Sequence, residues 1–218
     1  MKSAEIISLN TGRPVPLMYK NKEVLSGIKK LPVADSVYLS FSNFEGDEQA
    51  DLVNHGGSDK AVCVYPYEHY PFWEGELKAN LEMGAFGENL TTKGLLESEV
   101  CIGDIYLLGE AVVQISQPRQ PCYKLAARYE AQDMPLKVQE TGYTGFYFRV
   151  LKEGKVSMAD RLILDQRHPL GVTVAFANQI KYVDKEMRKD SVRFCPSMNC
   201  QSAGEKACLS DCKRTEAS

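Results

Sequence analysis

The sequence lacks any apolar run approaching the roughly 20 residues that a membrane-spanning helix needs. Its opening stretch, MKSAEIISLN, sets Glu5 inside a short apolar run and so makes a poor signal peptide. Excess charge is also scarce. A net charge of −3 argues against broad phosphate neutralisation, and no nucleic-acid polymer is expected as a partner. Only three histidines occur, His55, His69 and His168, too dispersed for a histidine metal site or a catalytic triad. A phosphate-binding loop is missing as well: Gly56 and Gly57 lead into a strand pattern, not into the Gly-Lys-[Ser/Thr] and helix that such a loop requires. No flavin or nicotinamide fingerprint and no internal repeat is visible. What is present, 44% apolar and 25% charged residues, suits an ordinary globular chain with a core of useful size. The cytoplasm is the default compartment, and the single N-x-[ST] triplet, Asn89-Leu90-Thr91, reads as chance.

Seven cysteines fit that compartment as reduced thiols, because the count is odd and 218 residues need no disulfide stapling. Cys63 and Cys101 fall in strand patterns and read as core, whereas Cys122 stands apart. Cys195, Cys200, Cys208 and Cys212 crowd the tail. Four thiolates suffice for zinc or an iron–sulfur cluster, but no C-x2-C pair is present, and incidental thiols or redox-sensitive pairs are the preferred reading.

Up to about residue 170 the pattern is one of short strands. In SVYLSFS (36–42) Val37, Leu39 and Phe41 alternate with Ser36, Ser40 and Ser42 apart from the other-face Tyr38, and AVCVYP (61–66), DIYLLG (104–109), AVVQIS (111–116), GFYFRVL (145–151) and DRLILD (160–165) are β-rich. Turn residues bound most of these runs, which favours a barrel or sandwich over a doubly wound sheet. Helices are predicted at 67–80, weakened by Pro71 and Gly75, and at 121–132, where Pro121 suits the first turn. VTVAFANQIKYVDKEMRK (172–189) reads as a further helix. The organisation is therefore a mainly β domain at 1–170 followed by a helical extension with a cysteine-rich tail at 171–218.

Three segments carry candidate chemistry. In VVQISQPRQPCYKLAARY a strand gives way to a loop, and Cys122 enters the first turn of a helix, where free N–H groups favour a thiolate. Arg119 and Lys124 add positive charge, so Cys122 reads as a nucleophile or a soft-metal ligand, against the plainer reading of a buried cysteine. In NHGGSDKAVCVY (54–65), His55, Asp59 and Lys60 cluster around a glycine turn that is equally readable as a tight turn with solvated charges. In GAFGENLTTKGL (84–95), Glu88 and Asn89 offer polar groups, although the segment alone is most simply an irregular turn.

Taken in order, NHGGSDKAVCVYPYEHYPFW (54–73), GAFGENLTTKGL, VCIGDIYLLGEAVVQISQPRQPCYKLA (100–126) and TGFYFRVLKEG (144–154) resemble the MOSC-domain family, named for the C-terminal domain of molybdenum cofactor sulfurase. The likeness is greatest to the small bacterial stand-alone members that reduce N-hydroxylated bases such as 6-hydroxylaminopurine, and the block Q-P-R-x-P-C-x-K-L at 117–125 is its most diagnostic part. The resemblance implies a β-barrel whose rim binds the molybdenum cofactor (molybdopterin), with Cys122 as the ligand of molybdenum. It implies that Arg119, Lys124, His55, Asp59, Lys60, Glu88 and Asn89 lie on loops around that cofactor. A separate flavoprotein or iron–sulfur reductase would supply electrons to a small-molecule substrate, the role would be detoxification, and a homodimer is compatible. A sulfur carrier with a Cys122 persulfide and a non-enzymatic carrier of the cofactor are the competing readings. Residues 171–183 resemble the start of a three-helix extension, but the tryptophan usual in its later helices is absent, since the one tryptophan is Trp73.

Overall fold

The computed structural model describes residues 2–50 and 56–182. Twelve strands and four helices occur among them: β1 (Ser3–Thr11), β2 (Val15–Tyr19), β3 (Lys22–Ser26), β4 (Leu31–Pro32), β5 (Val37–Leu39), β6 (Val62–Pro66), α1 (Tyr70–Leu77), β7 (Leu90–Lys93), β8 (Ile105–Leu108), β9 (Ala111–Pro118), α2 (Tyr123–Tyr129), α3 (Met134–Thr141), β10 (Phe146–Lys152), β11 (Gly154–Val156), β12 (Arg161–Gln166) and α4 (Val174–Tyr182). The chain divides into two units, Met1–Asn178 and Gln179–Ser218. Of the second, only residues 179–182, the end of α4, are described. No helix among the described residues is long and apolar enough to cross a membrane.

The main sheet runs β12-β8-β9-β10-β6-β7-β1, and β12 pairs back onto β1, so seven strands close into a barrel. The short, punctuated strand runs leave a barrel or a sandwich open, the family resemblance implies the β-barrel, and a mainly β barrel is the architecture found. Closure leaves no long sheet edge to solvent. Its neighbours pair antiparallel except β6 and β7. The interior is filled from every wall: Leu9 of β1, Val62 and Val64 of β6, Leu90 of β7, Leu108 of β8, Ile115 of β9, Phe146 and Phe148 of β10, and Leu162 of β12. Strand alternation sends the residues between them outward. A second apolar cluster therefore forms outside the barrel, where Tyr65, Tyr70, Trp73, Phe86, Leu125, Met134 and Val138 pack under α1, α2 and α3.

Several boundaries differ from expectation. SVYLSFS yields strand only at Val37–Leu39, because the Ser40 hydroxyl turns the chain by bonding Asn43 O at 2.9 Å and Phe44 returns opposite Leu39. GAFGENLTTKGL contains β7, and MKSAEIISLN contains most of β1. The helix expected across 172–189 is described from Val174 to Tyr182, and residues 183–189 lie outside the described residues.

Gly145, at the start of β10, marks the tightest point in the wall. Its φ is +69°, and a Cβ there would stand 2.3 Å from Val64 O. Gly145→Ala is expected to cost about 2–4 kcal/mol through backbone strain and the clash together, read as a lowered urea midpoint. An unchanged midpoint would show that the wall gives way at this point.

Candidate functional site

The site lies against the outer face of the wall built by β6, β10 and β9. Tyr147 stands opposite Cys63 on one side and Gln117 on the other. Their neighbours Val62, Val64, Phe146 and Phe148 face the barrel core, so Cys63 and Tyr147 face outward. The 84–89 loop, the loop after β9 and α2 stand over them and leave an open cleft lined among others by Ser26, Lys30, Lys60, Cys63, Asn89, Arg119, Cys122, Lys124 and Tyr147.

Cys122 is the N-cap of α2 and not, as expected, a residue of its first turn. Its backbone is extended (φ −127°, ψ 167°), and its carbonyl accepts from Leu125 N at 3.1 Å. The cap makes no side-chain hydrogen bond, so the half-buried thiol is not spent on the helix.

Arg119 is fixed from two directions. Its backbone N–H donates to Gly145 O at 3.0 Å, extending the β9–β10 ladder past Pro118. Its side chain is buried and Nη2 donates to Phe86 O at 2.6 Å, while Nη1, also buried, has no hydrogen-bond partner. Burial alone would lower its pKa, but the neighbouring Cys63, Tyr147 and Cys122 outweigh burial and raise it, so the guanidinium is a permanent cation. Lys124 is buried in the first turn of α2, and Lys60 closes a 3₁₀ turn at Ser58–Lys60. Lys30 is buried in an ion pair with Asp47, whose carboxylate also accepts from Gly12 N and from Asn89 Nδ2, each at 2.9 Å. Asn89 in turn clamps β6: its N–H donates to Cys63 O at 2.8 Å and its Oδ1 accepts from Cys63 N at 3.0 Å. Among the described residues, four cations thus line the cleft against one carboxylate, Glu48. The chemistry favours an anionic ligand that seeks hydrogen-bond donors and a thiol.

The structure gathers Lys60, Asn89, Arg119, Cys122 and Lys124 of the sequence candidates into this cleft. Glu88 and Asp59 are directed elsewhere. The Glu88 carboxylate turns into its own loop, accepting from Tyr70 OH at 2.5 Å, Thr91 Oγ1 at 2.8 Å, Phe86 N at 2.9 Å and Gly84 N at 3.2 Å, and so sets the loop's shape. Asp59 pairs with Arg149 at 2.7 Å. His55 and the four tail cysteines lie outside the described residues. Cys63, read from sequence as core, lines the cleft; Tyr147, inside the 144–154 segment but not singled out in it, joins it, and so does Lys30, which no motif announces. The signal for Cys63 and Tyr147 was the period-2 pattern itself, which sets them on the face opposite Val62, Val64, Phe146 and Phe148.

The two thiols of the cleft should react differently. Burial pushes the Cys63 thiol up to about 11, leaving about one molecule in a thousand as thiolate at pH 8. Brief iodoacetamide treatment of the folded protein at pH 8, followed by peptide mass spectrometry, is expected to label half-buried Cys122 well before Cys63. Equal labelling would contradict the burial of Cys63.

Comparisons with known proteins place this arrangement. The model of the MOSC domain matches residues 51–163. YflK of Bacillus subtilis (strain 168) is 60% identical over 179 residues, which span 82% of this chain and 81% of YflK. A protein named reductase from Gibberella moniliformis (strain M3125 / FGSC 7600) is 38% identical over 149 residues, 66% of this chain but only 26% of the fungal protein. The crystal structure of YiiM from Geobacillus stearothermophilus superposes with a TM-score of 0.74 at 36% identity, covering 96% of this chain and 97% of YiiM.

Proposed function

From the premise that this chain belongs to the MOSC domain family, we propose that its cleft holds the molybdenum cofactor and that the protein reduces N-hydroxylated purines, pyrimidines or small hydroxylamines to amines. One observation carries the reading: a half-buried thiol that caps nothing, Cys122, shares a cleft with the buried Arg119 guanidinium, whose Nη1 has no protein partner. A buried donor left without an acceptor is costly, and a bound anion would relieve it. Among the described residues no three His, Cys, Asp or Glu side chains converge on a common point.

The residues present fit the molybdenum cofactor. Cys122 would be the thiolate ligand, and Arg119, Lys124 and Lys60 would face the anionic end of the cofactor. When bound, the cofactor supplies two-electron redox chemistry that no side chain provides. The remaining work belongs to the chain. Arg119, anchored at Phe86 O and Gly145 O, holds positive charge at a fixed point. Asn89 keeps β6 in register with the loop above it. Electrons come from a separate flavoprotein or iron–sulfur reductase, and the cytoplasm, with its reducing thiol pool, is the compartment proposed. The name of the fungal relative supports a reductive role.

The test is direct. Protein purified from a host that makes the cofactor is expected to contain close to one molybdenum per chain by elemental mass spectrometry. It is also expected to turn over 6-hydroxylaminopurine when supplied with a reduced viologen dye. Absence of molybdenum from protein made where the cofactor is abundant would overturn the assignment in favour of a Cys122 persulfide. Molybdenum without turnover of any N-hydroxylated compound would leave a cofactor carrier.

A further inference from the structure

Resting on the reading just given, we propose that the Tyr147 hydroxyl is the proton donor to the departing oxygen of an N-hydroxylated substrate bound in the cleft. Tyr65 OH donates to Tyr143 O at 2.9 Å, Tyr70 OH to the Glu88 carboxylate at 2.5 Å, and Tyr129 OH to Ala85 O at 2.7 Å. These three phenols under the helices are each tied to a protein acceptor. Tyr147 is also buried, yet it lines the cleft, no protein acceptor takes its hydroxyl proton among the described residues, and Arg119 lines the same cleft. A guanidinium has donors and no acceptor. It can give a hydrogen bond to the phenol oxygen and cannot take one from it. The Tyr147 proton is thereby turned to whatever occupies the cleft.

The setting keeps the phenol protonated, so the proton is in place across the working pH range. Burial holds Tyr147 protonated well above the ordinary range of a phenol, Cys63 pushes the same way, and Arg119 pulls against both. Arg119 therefore stabilises the phenolate formed after transfer. The wall holds the ring in place, because Tyr147 is paired on both sides, with Cys63 and with Gln117.

The balance is that of R–NH–OH + 2 e⁻ + 2 H⁺ → R–NH₂ + H₂O. The N–O bond breaks. The oxygen takes one proton from Tyr147 and leaves as water, and the nitrogen takes the other from solvent. The two electrons come from the external reductase, and solvent reprotonates the Tyr147 phenolate.

The experiment compares wild type with Tyr147→Phe, both purified from a host that makes the cofactor. Molybdenum per chain, the calorimetric Kd for the amine product, and the kcat and KM for 6-hydroxylaminopurine from pH 5 to 9 are measured. Phenylalanine keeps the ring and removes the proton, so molybdenum and Kd are expected to stay within threefold. kcat is expected to fall about 10²–10⁴-fold, the usual worth of a positioned general acid, with KM little changed and part of the loss recovered at low pH. Turnover by the variant within threefold of wild type at every pH would overturn Tyr147 as the donor and leave the function intact. Loss of molybdenum from the variant would assign Tyr147 to holding the cofactor and overturn proton donation. No turnover by molybdenum-loaded wild type would overturn the function itself and this proposal with it.

Discussion

Cys122→Ser is expected to emerge folded, free of molybdenum and inactive towards N-hydroxylated substrates. The fold should survive because Cys122 is an N-cap whose thiol makes no capping bond. Serine is among the strongest N-cap residues and offers an oxygen to the first free N–H groups of α2, so the midpoint of unfolding should hold steady or rise slightly. The metal should not survive. An alcohol is a hard, weakly acidic donor where the proposed site needs a soft thiolate, and even outer partners of metal ligands are worth 10- to 100-fold in affinity or activity. A loss exceeding about 100-fold in both molybdenum content and kcat/KM is therefore anticipated. The pairing of outcomes is the informative part, since a stable variant that keeps its metal and turnover would refute Cys122 as the ligand.

The largest effect on stability is expected from Asp47→Ala. Asp47 carries three contacts at once: the buried Lys30 ammonium, Gly12 N and Asn89 Nδ2. Removing the carboxylate leaves a buried cation without its counter-ion and two further donors without an acceptor. Breaking one side of a buried pair costs about 3–5 kcal/mol, a large share of a typical domain's stability. Urea unfolding should show the loss. The double change Lys30→Met with Asp47→Leu should recover most of it, because the penalty comes from the stranded charge and not from missing volume. A single variant within about 1 kcal/mol of wild type would mean that Lys30 finds another partner or reaches water.

What was legible in the sequence was whatever one strand or one turn decides. The strands at 62–66, 105–108, 111–118, 146–152 and 161–166 announce themselves by β-branched and aromatic residues between turn residues. Cys122 stands out because a cysteine between a loop rich in proline and an amphipathic helix has few structural reasons to be there. What stayed hidden depends on partners far along the chain. Glu88 looked like a ligand-facing acid, yet Tyr70, eighteen positions earlier, and the N–H groups of its own loop claim its carboxylate. Cys63 looked like core because its neighbours are apolar on both sides. Only the helices packed outside the barrel make its face a cleft wall instead of solvent. Lys30 carries no local mark at all, since its significance is the buried Asp47.

The seam between β1 and β12 has a consequence for how the chain folds. It joins Glu5 to Arg161 and Ser3 to Ile163, among the most distant partners in the barrel. By contrast, β8 and β9 meet across a tight hairpin at Leu108 and Ala111. Ordering two segments that far apart carries a larger loop-closure cost than ordering neighbours, and such contacts slow the search for the native topology. The wall that bears Cys63, Tyr147 and Arg119 draws its strands from residues 62–152 and does not include the seam. Ring closure is thus set by the two outermost strands. During synthesis it cannot occur until β12 has left the ribosome, by which time every strand of the cleft wall is already available to pair.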